Sequence, residues 1–110
     1  MTPWEHARRY LPENEVVPLA EVEALLLGER AQLWLGEGCA GVTEIARDGR
    51  LHMMLAGGSM AGLLAMRESV EAFARANGCR AVYLAGRKGW RRVFPQFGYA
   101  FDGEDMVKQL

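Results

Sequence analysis

The sequence predicts an α/β protein built on a mixed sheet, in which an antiparallel meander is followed by a β-α-β crossover, a short helix and a terminal hairpin. Three observations carry this expectation. Short apolar runs are separated by Gly36-Glu37-Gly38 and by Asp48-Gly49, which read as hairpin turns because glycine accepts positive φ without a Cβ clash. An amphipathic stretch from Met60 to Ala76 lies between two strand-like runs, the arrangement of a right-handed crossover that pairs its strands in parallel. Beyond it, Leu84 to Tyr99 reads L-A-G-R-K-G-W-R-R-V-F-P-Q-F-G-Y, a strand end, a turn bracketed by glycines and one or two helical turns.

Taken in order, residues 3 to 10 can form a short helix with Pro3 in its first turn. Pro12, Glu13, Asn14 and Pro18 then leave residues 11 to 18 irregular, so residues 1 to 18 form an arm or lead-in. From Leu19 to Ala31 the positions Leu19, Val22, Leu25 and Leu26 recur at helical spacing, Glu21 and Glu23 favour the helix start, and Gly28 marks the end. Gln32 to Leu35, Cys39 to Ala46 and Leu51 to Leu55 read as three strands. After Ala56-Gly57-Gly58, Ser59 is placed to cap a helix. Its apolar stripe is Leu63, Leu64, Met66, Val70 and Phe73, with Arg67, Glu68, Glu71 and Arg75 opposite. Asn77-Gly78 stops that helix, Arg80 to Ala85 returns as a strand, and Pro95 limits the helix begun after Arg87. Tyr99 to Phe101, the Asp102-Gly103 turn, and Met106-Val107 close the chain as a hairpin.

Composition narrows the function classes. The 110 residues, half of them apolar, can bury one core without metals or disulfides, so one domain spanning 1–110 is expected. The net charge of -1 gives no bulk attraction to nucleic acid or anionic membrane, but the charge is uneven. Residues 1–50 carry nine acids and five bases, residues 51–110 five acids and eight bases, which makes the C-terminal half the better place for an anion. Cys39 and Cys79 lie far apart without a CxxC motif and read as small buried thiols in a reducing cytosol. No apolar run approaches the roughly 20 residues of a membrane span. A cytoplasmic protein with no metal is the expectation.

The order of helix, three-stranded meander, Gly-rich turn, long helix, strand, short helix and hairpin resembles the GNAT superfamily of N-acetyltransferases, in a compact form. V-F-P-Q-F-G-Y looks like that family's short helix followed by Gly and an aromatic, and M-V-K-Q-L like its closing strand. The likeness runs from about Leu19 to Leu110. Small proteins of this Arg-rich, Gly-Trp and Gly-Tyr type are also similar to hypothetical proteins of bacteriophages and prophages. The resemblance implies an acyl-CoA cofactor, acetyl-CoA, lying where the strand before the long helix splays from the next. Its pyrophosphate would rest on backbone amides at Gly57, Gly58, Ser59, Met60, Ala61 and Gly62, with Arg87 near the position of a frequent family Asn. Two departures stand out. L-A-G-G-S-M-A-G-L-L lacks the Gln or Arg of the family's pyrophosphate signature, and Phe94 stands where the family often has a Tyr general acid.

Tyr83 and Tyr99 are the side chains that could replace that acid. For the base that deprotonates an amine, the candidates are His52 and Glu44, since a His titrates near neutrality and a partly buried Glu can be raised toward it. Each has a plainer reading, His52 as a hydrogen-bonded sheet residue and Glu44 as a solvated one. Arg87, Lys88, Arg91 and Arg92 around Trp90 could grip a phosphate or form a solvated face, and Trp90 itself reads as a core plug. Three functions follow: acetyl transfer from acetyl-CoA to an amine; a non-catalytic module of the same fold that binds a protein; and, weakest, a nucleotide or nucleic-acid binder.

Overall fold

The computed structural model describes residues 1–13 and 18–110; the predicted irregular segment 11–18 therefore lies partly outside the described residues. Two short helices, α1 (Pro3–Ala7) and α2 (Leu19–Leu27), precede a hairpin-linked meander of β1 (Gln32–Gly36), β2 (Cys39–Ile45) and β3 (Leu51–Gly58). The long helix α3 (Met60–Ala76) leads to β4 (Ala81–Ala85), then α4 (Lys88–Val93) and a 3₁₀ turn (Phe94–Phe97), before β5 (Ala100–Asp102) and β6 (Asp105–Gln109). All six strands form one sheet in the order β1-β2-β3-β4-β6-β5, antiparallel except for the parallel β3–β4 pair. The meander, the crossover and the terminal hairpin are those expected from the sequence. The hairpin folds back so that its second strand, β6, joins the sheet beside β4.

Alternation of side chains along the strands sorts them to two faces. Leu51, Met53, Ala56, Val82, Leu84 and Met106 meet Leu63, Met66, Val70 and Ala74 of α3 together with Trp90, Phe94 and Tyr99. The other face packs Ala40, Val42 and Leu55 under Ala7, Leu11, Leu19 and Val22, but only over the β1–β3 half of the sheet. The remaining part of that face, across β3, β4 and β6, is left uncovered by α1 and α2. The candidate site lies there.

Strand β3 runs three residues beyond its predicted end. Gly57 and Gly58 keep pairing, with Ala40 and Cys39, so the glycines finish a strand and Ser59 alone makes the turn into α3. Ser59 Oγ accepts a hydrogen bond from Gly62 N at 3.2 Å, the cap expected from the sequence. Ser59→Ala is expected to lower stability by about 1 kcal/mol and the melting temperature by about 4–8 °C in thermal unfolding.

One prediction for α3 is corrected. Glu71 and Arg67 were assigned to the solvated face of the helix, but Glu71 is 3 % exposed. Its Oε1 accepts from Lys108 Nζ at 2.8 Å, and its Oε2 from Tyr99 Oη at 2.9 Å and from Arg67 Nη1 at 3.0 Å. Arg67 lies one turn back on α3, but Lys108 comes from β6 and Tyr99 from the chain just after the 3₁₀ turn, both too far away in sequence for a helical wheel to show. Burial alone would raise the Glu71 carboxyl, but the Lys108, Arg67 and Tyr99 hydrogen bonds outweigh it and hold the group below its ordinary value. Burial and the neighbouring Glu71 charge push the Tyr99 phenol strongly up, so Tyr99 is a fixed donor inside the fold. That removes it as a replacement general acid.

Candidate functional site

Cross-strand register places Glu44, His52 and Tyr83 side by side. Glu44 pairs with His52, and His52 with Tyr83, so three adjacent strands present one row on the face away from α3. His52 Nδ1 lies 3.3 Å from Glu44 Oε1. The imidazole stacks on Tyr83 with ring centroids 4.4 Å apart and planes 7° from parallel. Tyr83 also carries the Arg50 guanidinium, 4.1 Å from the ring centroid, and Arg50 is paired with Asp48 at 2.7 Å. The three residues chosen separately as candidates thus form one contiguous cluster. Arg50 belongs to it and was missed, because a residue just after an Asp-Gly turn gives no signal of what it will cover.

The His52 and Glu44 side chains are each about a third exposed, at 30 % and 34 %, so substrate and water can reach them. Burial raises the Tyr83 phenol, and the Arg50 guanidinium only partly offsets that rise. Tyr83 therefore keeps its proton and can serve as a donor. His52 held on a carboxylate has its ring fixed by Glu44 and one nitrogen left over, the arrangement that lets an imidazole take a proton from an approaching nucleophile.

The cluster sits where the sheet opens. Parallel pairing links Leu51, His52 and Met53 to Val82, Tyr83 and Leu84 and goes no further, although β3 continues to Gly58. The β3 ladder is also irregular here: Val42 pairs with Leu55 and Thr43 with Met53, leaving Met54 as an extra residue. Among the described residues, the β4-facing edge of β3 has no strand partner beyond Met53. An extended ligand with amide groups can pair with such an edge.

At the far end of this split lies the segment from Gly57 to Gly62. Its glycines do not leave open space. A Cβ added at Gly57 would run into the Tyr10 carbonyl oxygen, one at Gly58 into Gly38 O, and one at Gly62 into Glu37 O and Cys39 Sγ. Ser59 N is bonded to Gly38 O and Gly62 N to the Ser59 hydroxyl. That leaves the amides of Met60 and Ala61, which as the first two of α3 have no partner within the helix, to face an anion. A Cβ at Gly89 would sit 3.9 Å from Met60 Cε, so the start of α4 lies against the start of α3. Lys88, Gly89 and Arg92 line one hollow there. Arg87 points elsewhere: its guanidinium is 5.3 Å from the Trp90 ring centroid, and it shares a hollow with Arg91 and Glu104.

The interior behind the split is filled. Trp90 and Phe94 are buried, with ring centroids 5.9 Å apart, and Phe94 meets Tyr99 edge-on at 5.2 Å. The cavity among Met53, Leu63, Met66, Leu84, Trp90 and Phe94 measures about 20 Å³, room for one water. Trp90 is the core plug expected from the sequence. The Met60 and Ala61 amides and the Lys88 and Arg92 cations are groups that could hold an anion, and the β3 edge could hold an extended arm with amide groups; the cavity by Trp90 has no room for an acyl chain.

No protein-family model matches the sequence, and no curated protein matches it. The fold does match a solved structure, the crystal structure of an acetyltransferase from Bacillus cereus ATCC 14579. The likeness covers 90% of this chain and 95% of that one, with a TM-score of 0.59 and 12% sequence identity. The fold is acetyltransferase-like. Identity this low carries the architecture alone. Among the described residues no group of three or more His, Cys, Asp or Glu is placed to hold a metal, and no helix is long and apolar enough to cross a membrane.

Proposed function

We propose that the chain is an acyl-CoA-dependent N-acyltransferase acting on an amine. The observation that carries this reading is the Glu44–His52–Tyr83 row lying at the point where β3 and β4 part company. An acyl-CoA would be held by the β3 edge from Met54 to Gly58, by the Met60 and Ala61 amides, and by Lys88 and Arg92. When bound it would supply an activated thioester. In this reading His52, oriented by Glu44, takes the proton of the attacking amine, and Tyr83, kept protonated by burial, is the donor within reach of the same site. Arg50, itself held by Asp48, packs its guanidinium over the Tyr83 ring and helps to fix it. The test is release of free CoA thiol from acetyl-CoA in the presence of a panel of primary amines and lysine peptides. Amine-dependent release supports the proposal, and none with any acceptor overturns it.

A second reading has its own observation. The glycines at the start of α3 are packed on the chain's own carbonyls and Trp90 leaves room for one water, which suits a protein that keeps the fold as an interaction module. A phage or host protein partner belongs to that reading. Failure of acetyl-CoA to bind, together with isolation of a stable complex with such a protein, would favour it.

A further inference from the structure

Where β4 ends, the chain forms a charged hollow that the acyl-transfer reading leaves without a role. It measures about 340 Å³ and lies between Gly86, the start of α4 and the turn that joins β5 to β6. Its floor is the chain itself: Gly86 N donates to Glu104 O at 2.8 Å, and a Cβ added at Gly86 would run into that carbonyl. Arg87 and Arg91 line the hollow from α4, and Glu104 and Asp105 from the turn.

The two sides do not neutralise each other. Among the described residues none of these four side chains is in an ion pair. The guanidiniums are held by rings instead, Arg87 at 5.3 Å from the Trp90 centroid and Arg91 at 5.0 Å from that of Phe101. Contacts of this kind leave the N–H donors of a guanidinium free. Each side is also unfavourable alone. Arg91 N bonds to Arg87 O at 2.9 Å, so the two cations stand one helical turn apart, a spacing at which like charges repel. Asp105 pairs across the hairpin with Asp102, which sets two carboxylates directly opposite each other. A ligand of one sign relieves one side and is repelled by the other: a phosphate meets Glu104 and Asp105, and a diamine meets Arg87 and Arg91. A ligand that carries both signs answers both.

We propose that this hollow binds a free α-amino acid, with its carboxylate on Arg87 and Arg91 and its ammonium on Glu104 and Asp105. The rest of the lining is Ala85, Gly86 and Gly103, which offers no apolar recess, so the side chain that fits is a small one. The site goes beyond the acyl-transfer reading and stands without it.

The test is a backbone amide NMR titration of the full chain with alanine, N-acetylalanine and alaninamide, which carry both charges, the carboxylate alone and the ammonium alone. Alanine is expected to give saturable shifts at Gly86–Arg91 and Gly103–Asp105 and to bind roughly tenfold more tightly than either blocked form, each of which loses one set of charged contacts. Arg91→Gln should weaken alanine about tenfold and leave alaninamide unchanged, and Glu104→Gln should weaken alanine while leaving N-acetylalanine unchanged. Amides that stay unmoved in tens of millimolar alanine overturn the proposal, and that is the result if the arginines swing onto Glu104 and Asp105 and close the hollow. An equal response to all three compounds overturns it too, as does alanine binding that ignores both substitutions. Should either variant fail to fold, the three-compound comparison on the wild type decides alone.

Discussion

Glu71→Leu is expected to destabilise the protein by about 3 kcal/mol in denaturant unfolding, the cost of leaving buried charged partners without their counter-charge. Among the described residues, the carboxylate is the only acceptor that Lys108, Tyr99 and one nitrogen of Arg67 share, and Arg67 Nε is without a partner. Removing it leaves the Lys108 ammonium, 20 % exposed, without its carboxylate, and leaves the Arg67 guanidinium, 11 % exposed, with the solvent-exposed Glu68 carboxylate at 3.6 Å. Glu71→Gln retains an acceptor and part of the packing, so it should cost less than leucine. Because the folded protein holds the carboxyl below its ordinary value of 4.5, its contribution is fully present above that pH and is lost as the pH falls through the folded value. The wild type should therefore lose stability on acidification below about pH 4.5, and Glu71→Leu should lose less over the same interval, which a pH series of unfolding curves measures directly.

His52→Ala is expected to lower the rate of acyl transfer by roughly 10²–10⁴-fold, the usual contribution of a positioned acid–base group. Its effect should fall on kcat, since the imidazole is placed to act on a proton and the surfaces offered to the cofactor lie elsewhere. Glu44→Gln retains the size of the side chain and removes the charge that orients the ring, so a smaller loss is expected from it. Combined with His52→Ala it should add little, because Glu44 acts through His52. Additive losses in the double variant would show that Glu44 has an independent role. The backbone pairing of β2, β3 and β4 does not depend on the Glu44 side chain, so a folded, slow enzyme separates this role from a structural one.

The fold was legible because its punctuation is local. Asp48-Gly49, Asn77-Gly78 and Ser59 announce a turn, a helix stop and a cap from their own chemistry, and each stands where the sequence put it. The candidate site was legible in its members and not in its geometry. His52 and Glu44 drew notice as titratable residues on apolar strands, but only pairing across β2, β3 and β4 shows that they share a row with Tyr83. Glu71 was misread for the same reason in reverse. On a helical wheel it sits with Arg67 and Arg75 on a polar face, and nothing local says that β6 and Tyr99 will fold over it. The glycines at 57, 58 and 62 were assigned to a ligand because small residues allow close approach. The approach they allow is that of Tyr10, Gly38 and Glu37 of the chain itself.

The central claim is that the split between β3 and β4 takes an acyl-CoA, and the most direct measurement is a backbone amide NMR titration with acetyl-CoA. The expected result is saturable shifts confined to Met54–Ala61 and Lys88–Arg92, with His52 and Tyr83 following them. Unmoved amides across those segments at millimolar acetyl-CoA would contradict it.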